Sequence, residues 1–252
     1  MKNKAVYTII NIFISLVLCC PVFGMTGREI VERSEKAIRG ESLSTVYAMK
    51  VTTASWSRTI EFKYIEKRKE RKSFAEIYAP PKDAGNRFLL IKNNMWHYIP
   101  KLQQTIKISP SMMLQAWMGS DFSNDDIVKE SSILEDYNHN LLGSATINGQ
   151  KCYKVELIPK PDAAVVWGKI IYYTRENDFL PYREEFYNEH AEMKKVMTFS
   201  EYKVMGGRTI PTVYTMQTVN KPDKLTVLEI KDVKFDIDIP EKSFTQQNLT
   251  RK

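Results

Sequence analysis

The side chains of this 252-residue chain that could do acid–base, metal or nucleophilic chemistry are few and scattered. His97, His139 and His190 lie far apart, and the chain has no His-x-His, HExxH or Cys-x-x-Cys spacing, so no zinc site is predicted. The sequence also lacks the GxSxG elbow, the P-loop and the GxGxxG fingerprint. We therefore predict a protein that is not an enzyme and that uses no metal ion or cofactor.

Three features that could indicate catalysis or metal binding are better explained by ordinary structural roles. His97 lies in an alternating strand pattern, which favours a hydrogen-bonded sheet histidine over a catalytic base. Cys152 lies in a predicted strand, where a small packed residue is a better interpretation than a reactive thiol. The acidic stretch from Asp121 to Asp126 lacks the ligand and glycine spacing of an EF-hand, and a helix cap explains it better than a calcium site.

Large apolar side chains are concentrated in residues 108–126, which we call the Met/Trp segment. Pro110 and Gly119 interrupt it, but on a helix four of its side chains would share one face: Met113, Leu114, Trp117 and Met118. Methionine is unbranched and polarizable, so a surface rich in it can repack around ligands of different shape. Such a stripe also occurs in ordinary cores; here we favour a lid that faces a ligand.

The first residues are typical of a secretion signal. Lys2 and Lys4 precede an apolar stretch from Ile9 to Leu18, which is too short to span a bilayer, and we expect cleavage after Gly24. The mature chain, residues 25–252, would then be a single domain located in the periplasm. A lipid anchor at Cys19 or Cys20 is a less favoured alternative, because no Gly, Ala or Ser precedes either cysteine.

Charge and cysteine content also limit the possible partners. Removing Lys2 and Lys4 lowers the formal charge from +7 to +5, and an exported basic protein is more suited to anionic lipid headgroups than to nucleic acid. We therefore predict no nucleic-acid partner. Cys152 would be the one cysteine left in the mature chain, so its stability must come from the core and not from an internal disulfide.

Sequence periodicity predicts mostly strands after one helix. Thr26 and Glu29 have the spacing of a capping box, which predicts a helix from Thr26 to Arg39. A second, short helix is predicted from Asp126 to Tyr137, with Asn124 or Asp125 as its N-cap. The sequence Asn148-Gly149 predicts a tight hairpin. Period-two alternation predicts strands at Ser44–Ala54, Trp56–Lys67, Lys72–Tyr78, Arg87–Lys92, Met95–Ile99, Gln104–Ile108, Lys151–Ile158, Lys169–Thr174, Arg183–Asn188, Lys194–Lys203, Arg208–Thr218 and Leu225–Ile239.

No linker or repeat divides the chain, so these strands predict one antiparallel sheet. Because strand twist accumulates, ten or more strands must curl. The predicted fold class is therefore mainly β with α: a strongly curved antiparallel sheet that forms an incomplete half β-barrel. Helices would cover its concave apolar face.

The mature region contains the stretches MWHYIPKLQQTIKISPSMMLQAWMGSDFSNDDIV from Met95 to Val128, LLGSATINGQKCYKVELIPKP from Leu141 to Pro161, and the later LPYREEFY, GGRTIPTVYTM and LEIKDVKF. Taken together, these stretches resemble the LolA-like, outer-membrane lipoprotein-sorting family. The resemblance implies an open half-barrel whose helices close an apolar cavity. It also implies a carrier that receives acyl chains of lipoproteins, or other hydrophobic cargo, from an inner-membrane transporter and delivers them to a possible outer-membrane acceptor.

The predicted ligand-binding residues are the apolar side chains of two strands and of the Met/Trp segment. They are Trp56, Phe62, Tyr64, Trp96, Tyr98, Ile108, Met112, Met113, Leu114, Trp117 and Met118. Two other functions remain open. One is an envelope sensor that binds lipid or lipoprotein, and the other, less favoured, is a cofactor-free enzyme in which Tyr98 or His97 acts on a substrate held in the cavity.

Overall fold

The computed structural model describes residues 24–129, 133–163 and 165–251, so almost all of the predicted secretion signal lies outside the described residues. Within these ranges thirteen strands form one sheet. They are β1 (Ser42–Thr52), β2 (Ser57–Lys67), β3 (Lys72–Ala79), β4 (Arg87–Ile91), β5 (Asn94–Ile99), β6 (Gln104–Lys107), β7 (Tyr137–Ile147), β8 (Gln150–Pro159), β9 (Lys169–Arg175), β10 (Pro181–Tyr187), β11 (Met193–Met205), β12 (Arg208–Thr218) and β13 (Leu225–Phe235).

In the same described ranges the sheet is accompanied by four α-helices: α1 (Gly27–Arg39), α2 (Asn124–Lys129), α3 (Ile133–Asp136) and α4 (Gln246–Leu249). In the part of the chain that the structure describes, no helix has the length and the hydrophobicity needed to cross a bilayer.

The sheet is antiparallel throughout and does not close. Its strand order is β6-β5-β4-β3-β2-β1-β13-β12-β11-β10-β9-β8-β7, so strands from the two ends of the chain meet where β1 pairs with β13. The edge strands β6 and β7 are not paired with each other. This arrangement confirms the predicted half-barrel of mainly β structure.

Helix α1 forms as its sequence predicts. The Glu29 amide donates to Thr26 Oγ1 at 3.2 Å and the Thr26 amide donates to Glu29 Oε2 at 2.8 Å, which completes the capping box. The helix ends at Gly40, whose φ of 64° is a conformation that glycine adopts at little cost. Its apolar residues Ile30 and Val31 are fully buried in the main core.

The two faces of the sheet are buried by different parts of the chain. The inner face, which carries Met49, Phe62, Phe88 and Tyr214 among others, shares the main core with α1 and with the Met/Trp segment. At the β3–β5 end, the outer face packs through Phe74 against the last residues of the chain, among them Ile239, Phe244 and Leu249. Apolar residues on both sides of a strand are therefore buried at this end.

Two predicted elements are corrected by the structure. The helix expected over Asp126–Tyr137 is instead α2 and α3, and Tyr137 already belongs to β7, a strand that the predicted list omitted. The last strand ends at Phe235 and not at Ile239, because Asp236 turns to a φ of 52° and its Oδ1 accepts the Glu41 amide at 2.8 Å.

The Met/Trp segment, which Pro110 and Gly119 were expected to interrupt, does not form one helix. It contains two short 3-10 turns, Pro110–Met112 and Trp117–Gly119, and Met118 between helical residues has a φ of 51°. By contrast, the predicted hairpin is confirmed: Asn148 and Gly149 have φ values of 49° and 82° between β7 and β8.

A buried ion pair joins α1 to the sheet. Arg39 donates to Glu66 on β2 through Nη2 at 2.6 Å and through Nε at 3.2 Å, and its Nη1 lies 3.6 Å from Glu35 Oε2. The side chains of Arg39 and Glu66 are 6% and 1% exposed. Charges buried to this degree must be paired, because an unpaired ion costs several kcal/mol in the interior.

We predict that Arg39→Ala lowers the free energy of unfolding by about 3 kcal/mol, because it leaves the Glu66 carboxylate buried without its cation. Urea unfolding monitored by circular dichroism measures this change. Lys36→Ala, at an exposed position of the same helix, is the matched control and should change stability by no more than about 0.5 kcal/mol. A loss below about 1 kcal/mol for Arg39→Ala would contradict the role given to this pair.

A candidate ligand cavity under the Met/Trp segment

An apolar cavity lies between the inner face of the sheet and the segment that crosses it. Its volume is about 110 Å³, counted as the space open to the centre of a water-sized sphere. Since one water needs about 10–15 Å³ on this measure, the space could hold on the order of eight methylene-sized groups. The sheet side of its wall includes Met49, Phe62, Tyr64, Ala75, Phe88, Phe186, Met197, Phe199, Tyr214 and Met216.

The opposite wall comes from the Met/Trp segment and from the residues that follow it. This wall includes Trp117 and Phe122 from the segment and Ile127 from α2. It also includes Ile133, the first residue of α3, and Tyr137, the first residue of β7. The Trp117 ring lies 5.3 Å from the Phe62 ring and 5.2 Å from the Phe88 ring, in tilted contacts that aromatic pairs favour. The segment is thus packed onto the sheet at β2 and β4.

Asp121 fastens the middle of the Met/Trp segment to strands β12 and β13. Its carboxylate accepts the hydroxyl of Thr218 at 2.8 Å and that of Thr226 at 2.7 Å, and it lies 3.7 Å from Lys224 Nζ. Lys224 also donates to the Ser120 carbonyl at 2.8 Å. Asp121 is 3% exposed, so these partners replace the water that its carboxylate gives up.

Asp126 fastens the end of the segment. Its Oδ2 accepts the Ser123 amide at 2.6 Å while the Asp126 amide donates to Ser123 Oγ at 3.2 Å, so the two residues form a capping box for α2. The same carboxylate accepts from Lys195 Nζ at 2.6 Å and from Trp167 Nε1 at 3.0 Å. The predicted helix cap is therefore confirmed, although the capping residue is Ser123 and not Asn124 or Asp125.

The cavity wall also contains acidic groups. Glu35 on α1, Asp126 and Glu184 on β10 line it, whereas its described lining includes no Lys, Arg or His. The Tyr172 hydroxyl is hydrogen bonded to Ser34 at 2.9 Å and donates to Glu35 at 3.2 Å. Burial, together with the charges of Glu35 and Glu184, raises the pKa of Tyr172.

The predicted ligand-binding residues are divided among four places. Phe62, Tyr64 and Trp117 line the cavity. Four others pack in or against the main core but do not line the cavity: Ile108, Met112, Met113 and Met118. Leu114 and Trp56 lie at the surface, with 66% and 46% of each residue exposed. Trp96 and Tyr98 pack on the outer face, in the cluster formed with the C-terminal residues.

Strand register explains why Trp96 and Tyr98 do not reach the cavity. Phe88, which lines the cavity, is paired with His97, so Trp96 and Tyr98 must point to the other side of β5. Alternation fixed which residues share a face but not which face is the inner one. The prediction had chosen the more aromatic face.

Much of the lining was missed from the sequence. Met197, Phe199, Tyr214 and Met216 on β11 and β12 contribute to the wall, as does Trp167 from the loop before β9. The alternating apolar residues of the predicted strands at Lys194–Lys203 and Arg208–Thr218 contained this signal. It could not be assigned to the cavity because pairing across the whole sheet decides which strands surround it.

His97 and Cys152 lie outside the cavity lining. His97 Nε2 is 2.8 Å from Asn86 Oδ1 and its ring is stacked on Phe88, while burial lowers the pKa of His97 to about 4. Cys152 is fully buried, and burial raises the pKa of its thiol to about 11, which disfavours the reactive thiolate. Among the described residues, no group of three or more His, Cys, Asp or Glu side chains could hold a metal ion.

A family model described as "Uncharacterized protein" matches residues 69–251. A comparison with curated proteins finds no match. Solved structures do match the fold. A DUF1329 family protein from Desulfovibrio piger has a TM-score of 0.81 at 20% identity, and the match covers 88% of this chain and 97% of that one.

Two further solved structures share the fold. A LolA superfamily protein from Nitrosomonas europaea has a TM-score of 0.77 at 23% identity, with 89% of this chain and 100% of that chain covered. A putative outer membrane lipoprotein-sorting protein domain from Vibrio parahaemolyticus has a TM-score of 0.78 at 24% identity, with 89% and 98% covered. These likenesses show that the fold is LolA-like.

We predict that Asp126→Ala lowers the free energy of unfolding by about 3 kcal/mol and loosens the Met/Trp segment, because Lys195 loses its buried carboxylate and the capping box of α2 loses the side chain that accepts the Ser123 amide. Urea unfolding gives the first quantity, and faster amide hydrogen exchange within residues 108–126 gives the second. Glu135→Ala is the control, since Glu135 pairs with Arg28 at the exposed surface and should matter by at most about 0.5 kcal/mol.

We also predict that stability falls as the pH is lowered from 7 to 5. The pKa of His97 is about 4 in the folded protein, lowered by burial, and rises to about 6.5 on unfolding, so the unfolded chain binds more protons in this window. His97→Gln should remove about 1–2 kcal/mol of this pH dependence, measured by urea unfolding at both pH values. The same substitution at exposed His190 should leave it unchanged; equal pH dependence in wild type and His97→Gln would contradict the prediction.

Proposed function

We propose that this chain, which belongs to the family described as "Uncharacterized protein" and has a LolA-like fold, is a periplasmic carrier of acyl chains. Its cargo is the acylated part of a lipoprotein or another hydrophobic molecule. The cavity between the sheet and the Met/Trp segment is the observation that carries this proposal.

The hydrophobic effect supplies the driving force. Exposure of an alkyl chain to water costs about 0.8 kcal/mol per methylene, so enclosing eight methylenes would contribute about 6 kcal/mol. The wall that encloses them is aromatic and aliphatic apart from the acidic groups, and Met49 and Met216 can adjust to chains of different shape. A longer chain requires the Met/Trp segment to move outward.

The anchoring of the Met/Trp segment suggests how cargo enters. Asp121 and Asp126 hold its later half and Arg58 on β2 donates to the Met118 carbonyl near its middle, whereas Leu114, in its earlier half, is exposed. We infer that the earlier half opens while the carboxylate contacts stay in place. An inner-membrane transporter would load the carrier by offering the chain at this edge, and an outer-membrane acceptor would remove it.

The Vibrio parahaemolyticus structure is described as a putative outer membrane lipoprotein-sorting protein domain. This description supports transfer of cargo toward the outer membrane. The predicted secretion signal supports the periplasmic location. The three histidines and Cys152 are not among the residues that line the cavity, which supports binding without catalysis.

We predict that Ala75→Phe weakens binding of a fluorescent peptide bearing a sixteen-carbon acyl chain by at least about tenfold, because Ala75 lines the cavity and a phenyl group there occupies the space of the cargo. Fluorescence anisotropy measures the affinity. Overpacking should change the unfolding free energy by only about 1–3 kcal/mol, so the variant remains folded.

Ala145→Phe is the matched control, since Ala145 packs in a separate cluster on the outer side of β7. It should bind the acylated peptide as the wild type does. Unchanged affinity in Ala75→Phe, or no binding by the wild type, would contradict the carrier proposal. Native mass spectrometry of the protein purified from the periplasm, followed by lipid extraction, would identify the natural cargo.

A further inference from the structure

The charges in the cavity wall are of one sign. Glu35, Asp126 and Glu184 line it, and no basic side chain is among its described lining residues. Asp126 is paired with Lys195, and Arg39 lies 3.6 Å from Glu35, so cations do neutralise acidic groups from behind the wall. A carboxylate or phosphate that entered would lose its hydration and meet no cation at the surface of the cavity.

Two hydrogen-bond donors of the same wall have no partner. The Trp117 indole Nε1 and the Tyr137 hydroxyl are buried without an acceptor among the described residues, and the two residues are only 3% and 2% exposed. Both residues line the cavity. Buried donors without an acceptor are rare in folded proteins because each one forfeits the hydrogen bond it made with water.

The surroundings of Tyr137 keep its hydroxyl a donor. Burial, with the charges of Asp125, Asp136 and Asp126, raises the pKa of Tyr137 far above the neutral range. The indole nitrogen of Trp117 is a donor at every pH. An alkyl chain gives these donors nothing to bind, whereas the carbonyl oxygen of an ester or an amide is an acceptor without charge.

We propose that the cavity selects neutral acyl esters and amides, whose carbonyl oxygen accepts a hydrogen bond from Trp117 or Tyr137, over free fatty acids and phosphate headgroups. This inference rests on the proposed carrier function. It narrows the cargo to molecules in which the acyl chain is linked through an ester or an amide, as opposed to free fatty acids. The acidic wall rejects anions, and the two donors distinguish an ester from a bare hydrocarbon.

A set of twelve-carbon probes tests the selectivity. Methyl dodecanoate, dodecanoate, dodecane and dodecylamine would each displace an apolar fluorescent dye from the full mature protein at pH 7.5. We expect the ester to bind about three- to tenfold more tightly than dodecane, the range that one hydrogen bond supplies, and dodecanoate to bind more weakly than the ester. Dodecanoate binding as tightly as the ester would overturn the proposal, and so would dodecylamine binding no more tightly than dodecanoate, because the acidic wall should favour a cation over an anion.

Removing the donors provides the second arm. Tyr137→Phe and Trp117→Phe should each leave dodecane affinity within about twofold, and at least one should abolish the preference for the ester. Tyr137→Phe should not destabilise the empty protein, because it removes a hydroxyl that has no partner.

Tyr172→Phe is the control. Its hydroxyl already has Ser34 and Glu35 as partners, so its loss should lower stability but leave the ester preference intact. An ester preference that survives both Tyr137→Phe and Trp117→Phe would overturn the inference while the carrier function stands. If none of the probes displaces the dye, both proposals fail.

Discussion

The inner face of an unclosed thirteen-stranded sheet must be shielded from water, and the rest of the structure follows from this constraint. A closed barrel would bury its interior by itself, but β6 and β7 stay apart, so other segments have to cross the opening. Helix α1 covers one part of the face and the Met/Trp segment covers another. The cover and the sheet do not fill the space between them, and the remainder is the cavity.

Charged side chains hold the cover in place because apolar contacts alone leave it free to slide. Asp121, Asp126 and Arg39 are each buried and each joins a covering element to a different strand. Hydrogen bonds fix distance and direction where packing against a smooth apolar wall does not. Burying these charges costs free energy, and their hydrogen bonds in return hold segments that lack regular structure in one defined position.

Sequence patterns correctly predicted the structural features that are determined by residues close together in the chain. The capping box of Thr26 and Glu29 and the turn at Asn148-Gly149 act within four residues, and both form as expected. The end of β13 depends on Asp236, whose carboxylate binds the Glu41 amide far away in sequence, so alternation carried the predicted strand too far. The path of the Met/Trp segment likewise depends on residues distant in sequence, since its turns are fixed by contacts with β2, β12 and β13.

The same distinction explains which part of the site was predictable. Composition identified Trp117 and Phe62 as large apolar residues in the right region, but the choice between Trp96 and His97 required knowing that the C-terminal residues bury the outer face. Polar atoms of the cavity wall gave no sequence signal at all. The positions of Glu35, Glu184 and Tyr137 become meaningful only when three distant segments are assembled around one space.

An unpaired donor in the wall of a cavity has a further physical consequence for a carrier. It raises the free energy of the empty state, so part of the affinity for a carbonyl-bearing cargo comes from relieving that penalty. Displacing the cargo then restores the penalty, which makes release depend on an acceptor that offers a better environment to the whole lipid. The hydrophobic term favours any alkyl chain, and it is the few polar atoms of Trp117, Tyr137 and the acidic groups that give such a cavity a means of choosing among them.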